Sequence, residues 1–379
     1  MITESDREYM MLAIEEARRG NGTTNPNPMV GAVIVKDDRI IGKGFHERYG
    51  CPHAERNALA NCIEDPAGAT IYVTLVPCNH YGNTPPCTEA IIEHKLARVV
   101  IGSKDPNPEA AGGEEVLRKA GIQVDTDCLR EECDALNPVF FKFMKEHLPY
   151  VTMKYAMSLD GKIACATGES QWITSGEARL HTHRLRATHM AILVGADTVI
   201  QDDPLLTCRT GGLSPIRIIC DTHLRTSPDA QVYLTASNEN PAYRSPRTIL
   251  ATCESDPALL EPYTSKGTVV LTLPEDESCH VDLNALMHSL ADRKIDSVLI
   301  EGGGEVNWSV LQEGIVDRVE VYIAPKILGG RNAKGPVGGP GVPCPDDSFR
   351  LKNMQIRNIG EDYLLSGEVI TCSQESLKK

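Results

Sequence analysis

The chain has 379 residues, 41% of them apolar, and a formal net charge of −14. That length admits two domains, and that apolar share is enough for an ordinary core in each. An acidic chain with no Lys/Arg-rich run is a poor match for nucleic acid, whose binding draws on a basic face and counterion release. No stretch reaches the roughly 18 uninterrupted apolar residues of a membrane span. The opening Met1-Ile-Thr-Glu-Ser-Asp-Arg7 lacks the basic-then-apolar order of a signal peptide, so the cytoplasm is the expected compartment.

The first element reads as a helix opened by a capping box, Ser5 with Glu8, striped by Met10, Ala13, Ile14 and Ala17, and stopped at Gly20. A turn-forming run, Asn21 to Pro28, follows. Val30–Val35 and Ile40–Gly44 then read as a hairpin about Lys36-Asp-Asp-Arg39. Next come a helix over His53–Cys62, a strand Ala69–Leu75, a helix Pro86–His94, a strand Arg98–Gly102, a helix Glu114–Ala120 and a strand Ile122–Thr126. Strands alternating with helices imply a sheet covered on its faces.

The pattern restarts near His147-Leu-Pro-Tyr150, which sets domains at 1–147 and 148–379. Val151–Ala156 reads as a strand. A helix follows it, opened by a second capping box of Thr174 and Glu177. Ala191–Gly195, Ile216–Cys220, Thr248–Ala251, Val269–Leu273, Ser297–Ile300 and Arg318–Ile323 read as buried strands. Leu283–Arg293 and Val306–Glu313 read as helices between some of them. This is the rhythm of a doubly wound α/β domain. Ser373–Lys379 reads as a frayed end.

The thirteen cysteines are odd in number and scattered. In a reducing compartment such residues are free, buried or metal-bound. Cys78 and Cys87 have context for the last of these. His53-Ala-Glu55, Pro77-Cys78 and Cys87 resemble the H-x-E…P-C-x-x-C signature of zinc deaminases, with the cysteine spacing widened to nine by the Asn79–Pro86 insertion. Three soft ligands leave one zinc position for a water, which becomes a hydroxide nucleophile near neutral pH. Glu55 is placed to shuttle its proton without ligating. Cys87 follows Thr84-Pro-Pro86 at a helix start, where free N–H groups favour a thiolate. A purely structural site wants a fourth protein ligand, and His80 is the candidate.

With these motifs the chain resembles the bifunctional pyrimidine deaminase/reductase family of riboflavin biosynthesis over nearly its whole length. The first half contributes Asn25-Pro-Asn-Pro-Met-Val-Gly-Ala-Val33, Pro52-His-Ala-Glu55, Tyr81-Gly82, Thr84-Pro-Pro-Cys87 and Asp105-Pro-Asn-Pro108. The second contributes Ser158-Leu-Asp-Gly161, Gly168-Glu-Ser-Gln-Trp-Ile-Thr174, Asp202-Asp-Pro204, Leu206-Thr-Cys-Arg209, Glu301-Gly-Gly-Gly304 and Ala324 to Gly330.

The resemblance implies a cytidine-deaminase-like three-layer α/β/α domain followed by a dihydrofolate-reductase-like doubly wound domain. It also implies Zn2+ on His53, Cys78 and Cys87, Glu55 as proton shuttle, and Asn27 and Asn107 at the deaminase substrate. In the reductase half it places Ser170, Arg186, Leu205, Arg209 and Glu301 on the substrate, and Ala156, Trp172, Thr198, Asp202, Gly303 and Gly304 on NADPH. The partner is a small phosphoribosyl-pyrimidine, with no nucleic acid or membrane, in a homo-oligomeric assembly. From the residues alone, Gly302-Gly303-Gly304 after a strand suits phosphate at a helix start, and Arg186 and Arg209 suit a substrate phosphate.

The sequence departs from the family pattern at Val76, where Glu is usual, and at Asn79, where Ser is usual. It also departs at Asn83, in place of a cation, and at Glu114, where a Gly-x-Gly is favoured. Two further readings therefore stand beside the main one: a paralogue with a working reductase and a slow or re-targeted first domain, and a non-catalytic zinc- and nucleotide-binding module. A nucleic-acid base deaminase is disfavoured by charge and by the fused second half. Scaffolding has no use for a proton shuttle, so Glu55 weighs against the non-catalytic module.

Overall fold

The computed structural model describes residues 2–82, 84–107, 112–210, 213–236, 239–240, 245–246 and 248–370. Asn83, Pro108 and the tail 371–379 therefore lie outside the described residues. The chain divides into two compact units, Met1–His147 and Leu148–Lys379.

In the first unit, helix α1 (Glu4–Arg18) opens at Thr3, not at Ser5. The Thr3 side chain accepts from Asp6 N–H while the Asp6 carboxylate accepts from Thr3 N–H, so the capping box is Thr3 with Asp6. Both boxes fit the sequence, but only Asp6 is also held from behind. It accepts from Tyr72 and from both terminal nitrogens of Arg98, whose Nε reaches Asp125 at 2.8 Å. Strands β1 (Gly31–Lys36) and β2 (Arg39–Phe45) form the expected hairpin, with Asp37 and Asp38 both in the left-handed region that such two-residue turns require.

Five strands complete this sheet in the order β2-β1-β3-β4-β5, with β3 at Thr70–Leu75, β4 at Arg98–Ser103 and β5 at Gln123–Asp125. Alternation sorts its side chains. Ala32, Ile34, Ile71, Val73, Val99 and Ile101 meet the helices α2 (Ala54–Ala60), α3 (Cys87–Glu93) and α4 (Gly113–Lys119). Val33, Val35, Tyr72 and Val100 meet α1 on the other face. The result is three layers. Short helices α5 (Arg130–Asp134) and α6 (Pro138–Glu146) end the unit.

The second unit holds a nine-stranded sheet, order β12-β11-β8-β7-β13-β6-β14-β16-β15. Its parallel strands are β6 (Tyr150–Ser158), β7 (Ala191–Gly195), β8 (Ile216–Cys220), β11 (Thr248–Thr252), β12 (Val269–Thr272), β13 (Ser297–Ile300) and β14 (Arg318–Ala324). The antiparallel edge hairpin β15 (Arg350–Ile359) and β16 (Asp362–Ile370) was not legible in the sequence. Two residue pairs, β9 (Glu239–Asn240) and β10 (Ser245–Pro246), pair separately.

Helices lie on both faces. On one, α11 (Leu283–Asp292) and α12 (Gly304–Gln312) cover Val151, Leu193, Ile218 and Val298. On the other, α8 (Ala196–Asp202), α9 (Gln231–Leu234) and α10 (Pro257–Thr264) cover Val194, Ile219 and Leu250. Helix α7 (Gly176–Ala187) lies over Tyr322 and Leu364. The α7 cap is Ser175, which accepts from Ala178 N–H, and not Thr174. Ser175 wins because Asp362, at the start of β16, accepts from both its N–H and its hydroxyl.

Burial alone would raise the Asp6 carboxyl, but hydrogen bonds from Arg98, Thr3 and Tyr72 outweigh it and hold Asp6 well below the usual carboxylate range. A depressed folded-state value stabilises above the unfolded value near pH 4, and that stability is lost as pH falls. Asp6→Asn is therefore expected to cost roughly 3 kcal/mol in urea unfolding at pH 7, because it removes the buried carboxylate that Arg98 and Tyr72 bond and leaves Arg98 with Asp125 alone. The difference from wild type is expected to shrink below about pH 4; an equal deficit at pH 3 and pH 7 would contradict this.

Candidate functional site

Glycine sets the position of α2. A Cβ on Gly44 would collide with Ala58 N and Ala54 O, and one on Gly42 with Ala58 O, so α2 lies directly on the backbone of β2. That contact sets the residue before the helix, His53, and its second residue, Glu55, beside the segment that leaves the end of β3. Cys78 follows the end of β3, and Cys87 is the first residue of α3.

His53 Nδ1 lies 3.4 Å from both Cys78 Sγ and Cys87 Sγ. These three ligand atoms lie within 4.8 Å of one another and form the convergent His/Cys group of the first unit among the described residues. His80 lines the same cavity but does not join that group. The expectation that the α3 terminus serves Cys87 itself is refined: the Cys87 N–H donates to Cys78 Sγ at 3.4 Å. A hydrogen bond from the Cys87 thiol, helped by His53, holds the Cys78 thiol well below its usual range, while the Cys87 thiol is pushed up by that same bond and by burial. Burial, and then the neighbouring Cys78 sulfur, push the Glu55 carboxyl up, which favours a group that can carry a proton.

The cavity in front of this group measures about 410 Å³ and is lined by Asn27, His46, Val76, Asp105, Asn107 and Phe140, among others. Asn27 and Asn107 therefore both line the cavity that holds the His/Cys group. His46 was not legible beforehand, because a lone histidine after a strand carries no motif. Its Nδ1 lies 3.1 Å from Pro52 O, which can only accept, so Nδ1 holds the proton and Nε2 accepts from the Asn27 amide at 3.1 Å. That contact fixes which way the Asn27 amide turns. Of the departures from the family pattern, Val76 lines the cavity, Asn79 accepts from Thr88 and Glu114 pairs with Arg118 on α4.

In the second unit, Arg186 on α7 makes a two-pronged pair with Glu301 after β13, at 2.7 and 2.9 Å. Its remaining nitrogen donates to Thr207 O, which ties the loop carrying Leu205 and Arg209 to the pair; Arg209 itself is exposed. Lys154 on β6 stands 3.8 Å from Glu301 and over the Tyr322 ring. Sequence reading missed it, since a lysine inside a strand looks like an edge charge. Burial opposes ionisation of Glu301, but Arg186 and Lys154 outweigh it and hold its carboxyl down.

Thr198, on α8, places its hydroxyl 3.1 Å and 3.7 Å from where Cβ atoms on Gly302 and Gly303 would stand. Gly303 has φ 71°, in the left-handed region. A Cβ on Gly302 would crowd Thr198 and Val194, and the backbone of Gly303 favours glycine, so glycine backbone borders this crevice at the C-terminal ends of β7 and β13, where the strand order reverses. Gly304 opens α12, and Asp202 ends α8. Ala156 and Trp172 stand apart from the crevice in sequence, on β6 and on the loop before α7. Trp172 is 61% exposed with Arg179 over its ring, and Ser170 is in the same loop.

These two sites match two families. Residues 3–103 fit the cytidine and deoxycytidylate deaminase zinc-binding region, and residues 149–365 fit the RibD C-terminal domain. A riboflavin biosynthesis protein RibD from Actinobacillus pleuropneumoniae is 47% identical over 371 residues, covering 97% of this chain and 96% of that protein. The chain belongs to the RibD family. It is thus a two-activity enzyme of riboflavin biosynthesis, a deaminase joined to a reductase.

The fold agrees. RibD of Acinetobacter baumannii superposes with a TM-score of 0.84 at 36% identity, over 97% of this chain and 99% of the other. A Thermotoga maritima diaminohydroxyphosphoribosylaminopyrimidine deaminase/5-amino-6-(5-phosphoribosylamino)uracil reductase gives 0.79 at 37% identity, over the same shares. Among the described residues, no helix is long and apolar enough to cross a membrane.

Arg186→Ala leaves the buried Glu301 with Lys154 alone. It is expected to destabilise the second unit by about 3 kcal/mol in urea titration; an unchanged midpoint would count against a buried, mutually dependent pair.

Proposed function

We propose that the chain catalyses two consecutive reactions on one small phosphoribosyl-pyrimidine. The first unit hydrolyses the exocyclic 2-amino group of 2,5-diamino-6-(5-phosphoribosylamino)pyrimidin-4(3H)-one. Water supplies the oxygen that stays on the ring carbon, and the amine leaves as ammonia. The second unit reduces the ribosyl chain, opened to its imine, to ribityl with NADPH. The observation that carries this reading is the convergence of His53, Cys78 and Cys87 without His80, beside the buried carboxyl of Glu55. Three protein ligands suit a catalytic zinc with one open position.

Zinc held by these three residues supplies the Lewis acidity that makes water nucleophilic near neutral pH. Glu55 takes the proton from the attacking water and delivers it to the departing amine. Its raised affinity for protons suits both halves of that transfer. Asn27, turned by His46, and Asn107 orient the pyrimidine edge. The donor set, one imidazole and two thiols, is the chemistry zinc prefers.

In the second unit NADPH supplies the hydride. Thr198, Asp202, Gly303 and Gly304, with Ala156 and Trp172, receive the cofactor, the glycines leaving backbone N–H groups open at the α12 terminus. Ser170, Leu205, Arg209, Arg186 and Glu301 receive the substrate. The Arg186–Glu301–Lys154 cluster holds fixed charge next to the ring-opened sugar, and Arg209 offers its exposed guanidinium to the phosphate. A cytoplasmic homo-oligomer is the assembly that goes with this reading.

Glu55→Ala is expected to retain zinc, by metal analysis, and to slow ammonia release by roughly 10³-fold or more. Ammonia release at the wild-type rate would remove Glu55 from its role. Arg209→Ala is expected to raise the reductase KM about tenfold with little change in kcat, since a phosphate contact acts equally on ground and transition states. An unchanged KM would place the phosphate elsewhere.

A further inference from the structure

Helix α6 (Pro138–Glu146) has the sequence Pro-Val-Phe-Phe-Lys-Phe-Met-Lys-Glu, yet none of its residues is buried. Its aromatic residues belong to neither apolar core of the first unit. That is unspent apolar surface, and part of it faces the site. Phe140 and Met144, four apart and so on one face of the helix, line the cavity that also holds His53, Glu55 and Cys78.

The helix is also pinned to the cavity wall. The N-cap residue Asn137 is 8% exposed. Its Oδ1 accepts from Met29 N–H at 2.7 Å and its Nδ2 donates to Met29 O at 2.9 Å. Met29 follows Asn27-Pro28, both of which line the same cavity. Both hydrogen-bonding groups of one peptide residue are thus read by one buried amide, which sets the start of α6 against the loop that presents Asn27. Pro138 at the first helical position suits a helix that must begin there.

We propose that α6 is the apolar wall of the deaminase site, with the Phe140 ring and Met144 thioether packing on the face of the substrate's pyrimidine ring while Asn27 and Asn107 bind its edge. This rests on the deaminase reading above. Asparagine, histidine and carboxylate groups can satisfy a heterocycle's polar edge but not its π-face. An aromatic ring and a polarisable sulfur are the groups that do that. Asn137 is a positioning residue: it touches only backbone and acts through where α6 begins.

The test is steady-state ammonia release from 2,5-diamino-6-(5-phosphoribosylamino)pyrimidin-4(3H)-one by zinc-loaded full-length Phe140→Ala, Met144→Ala and Met144→Leu. Phe143→Ala serves as a control, since the Phe143 ring instead lies tilted against His147, with ring centroids 5.6 Å apart. Reductase turnover and zinc content report folding. Phe140→Ala and Met144→Ala are expected to raise KM about tenfold each, equivalent to about 1.4 kcal/mol. In both, kcat, zinc content and reductase turnover are expected to stay near wild type. Met144→Leu is expected to restore most of the affinity, and Phe143→Ala to behave as wild type. An unchanged KM in Phe140→Ala overturns the proposal, as does an equal rise in Phe143→Ala, which would mean that any damage to α6 acts alike. Wild-type protein that binds zinc but releases no ammonia overturns the deaminase reading, and the proposal with it.

Discussion

The close seating of α2 on β2 is the constraint on which the first site depends. Without side chains at Gly42 and Gly44 the helix lies against bare strand backbone, and its N-terminus sets His53 and Glu55 beside the chain that leaves β3. The end of β3 and the start of α3 deliver Cys78 and Cys87 to the same point. The ligands come from three separate chain segments: His53 and Cys87 stand at helix starts, while Cys78 lies three residues past β3 with its sulfur held by the Cys87 N–H.

The two units handle buried charge in one way for different ends. In the first, Asp6, Arg98 and Asp125 with Tyr72 tie α1 to the far strands of the sheet and set where the chain begins its first helix. In the second, Arg186, Glu301 and Lys154 form a similar cluster at the C-terminal end of β13. Leaving any one of these charges alone would be costly, so each cluster is rigid. The second stands where the strand order reverses, beside Gly302 and Gly303.

Much of this was legible in the sequence. The strands with strict alternation or β-branched runs, and the turn at Asp37-Asp38, needed only local rules. His53, Cys78 and Cys87 were legible because a metal demands particular donors, and Glu55 because it stands two residues after the histidine. What was not legible depended on distant partners. The α1 cap fell on Thr3 and not Ser5 because Arg98 and Tyr72 select Asp6, and the α7 cap fell on Ser175 because Asp362 holds it. Strand β15 alternates weakly and is exposed along almost its whole length, so it carries no core signal. Lys154 and His46 gain meaning only from what faces them across the fold.

The central claim is that the first site holds zinc with three protein ligands and leaves the fourth position open. X-ray absorption at the zinc edge of the metal-loaded protein tests it most directly, because sulfur, imidazole and light oxygen scatterers are distinguishable. The account predicts two sulfurs, one imidazole and one oxygen that exchanges with added ligand. A second imidazole, contributed by His80 and closing the coordination sphere, would make the site structural and contradict the account.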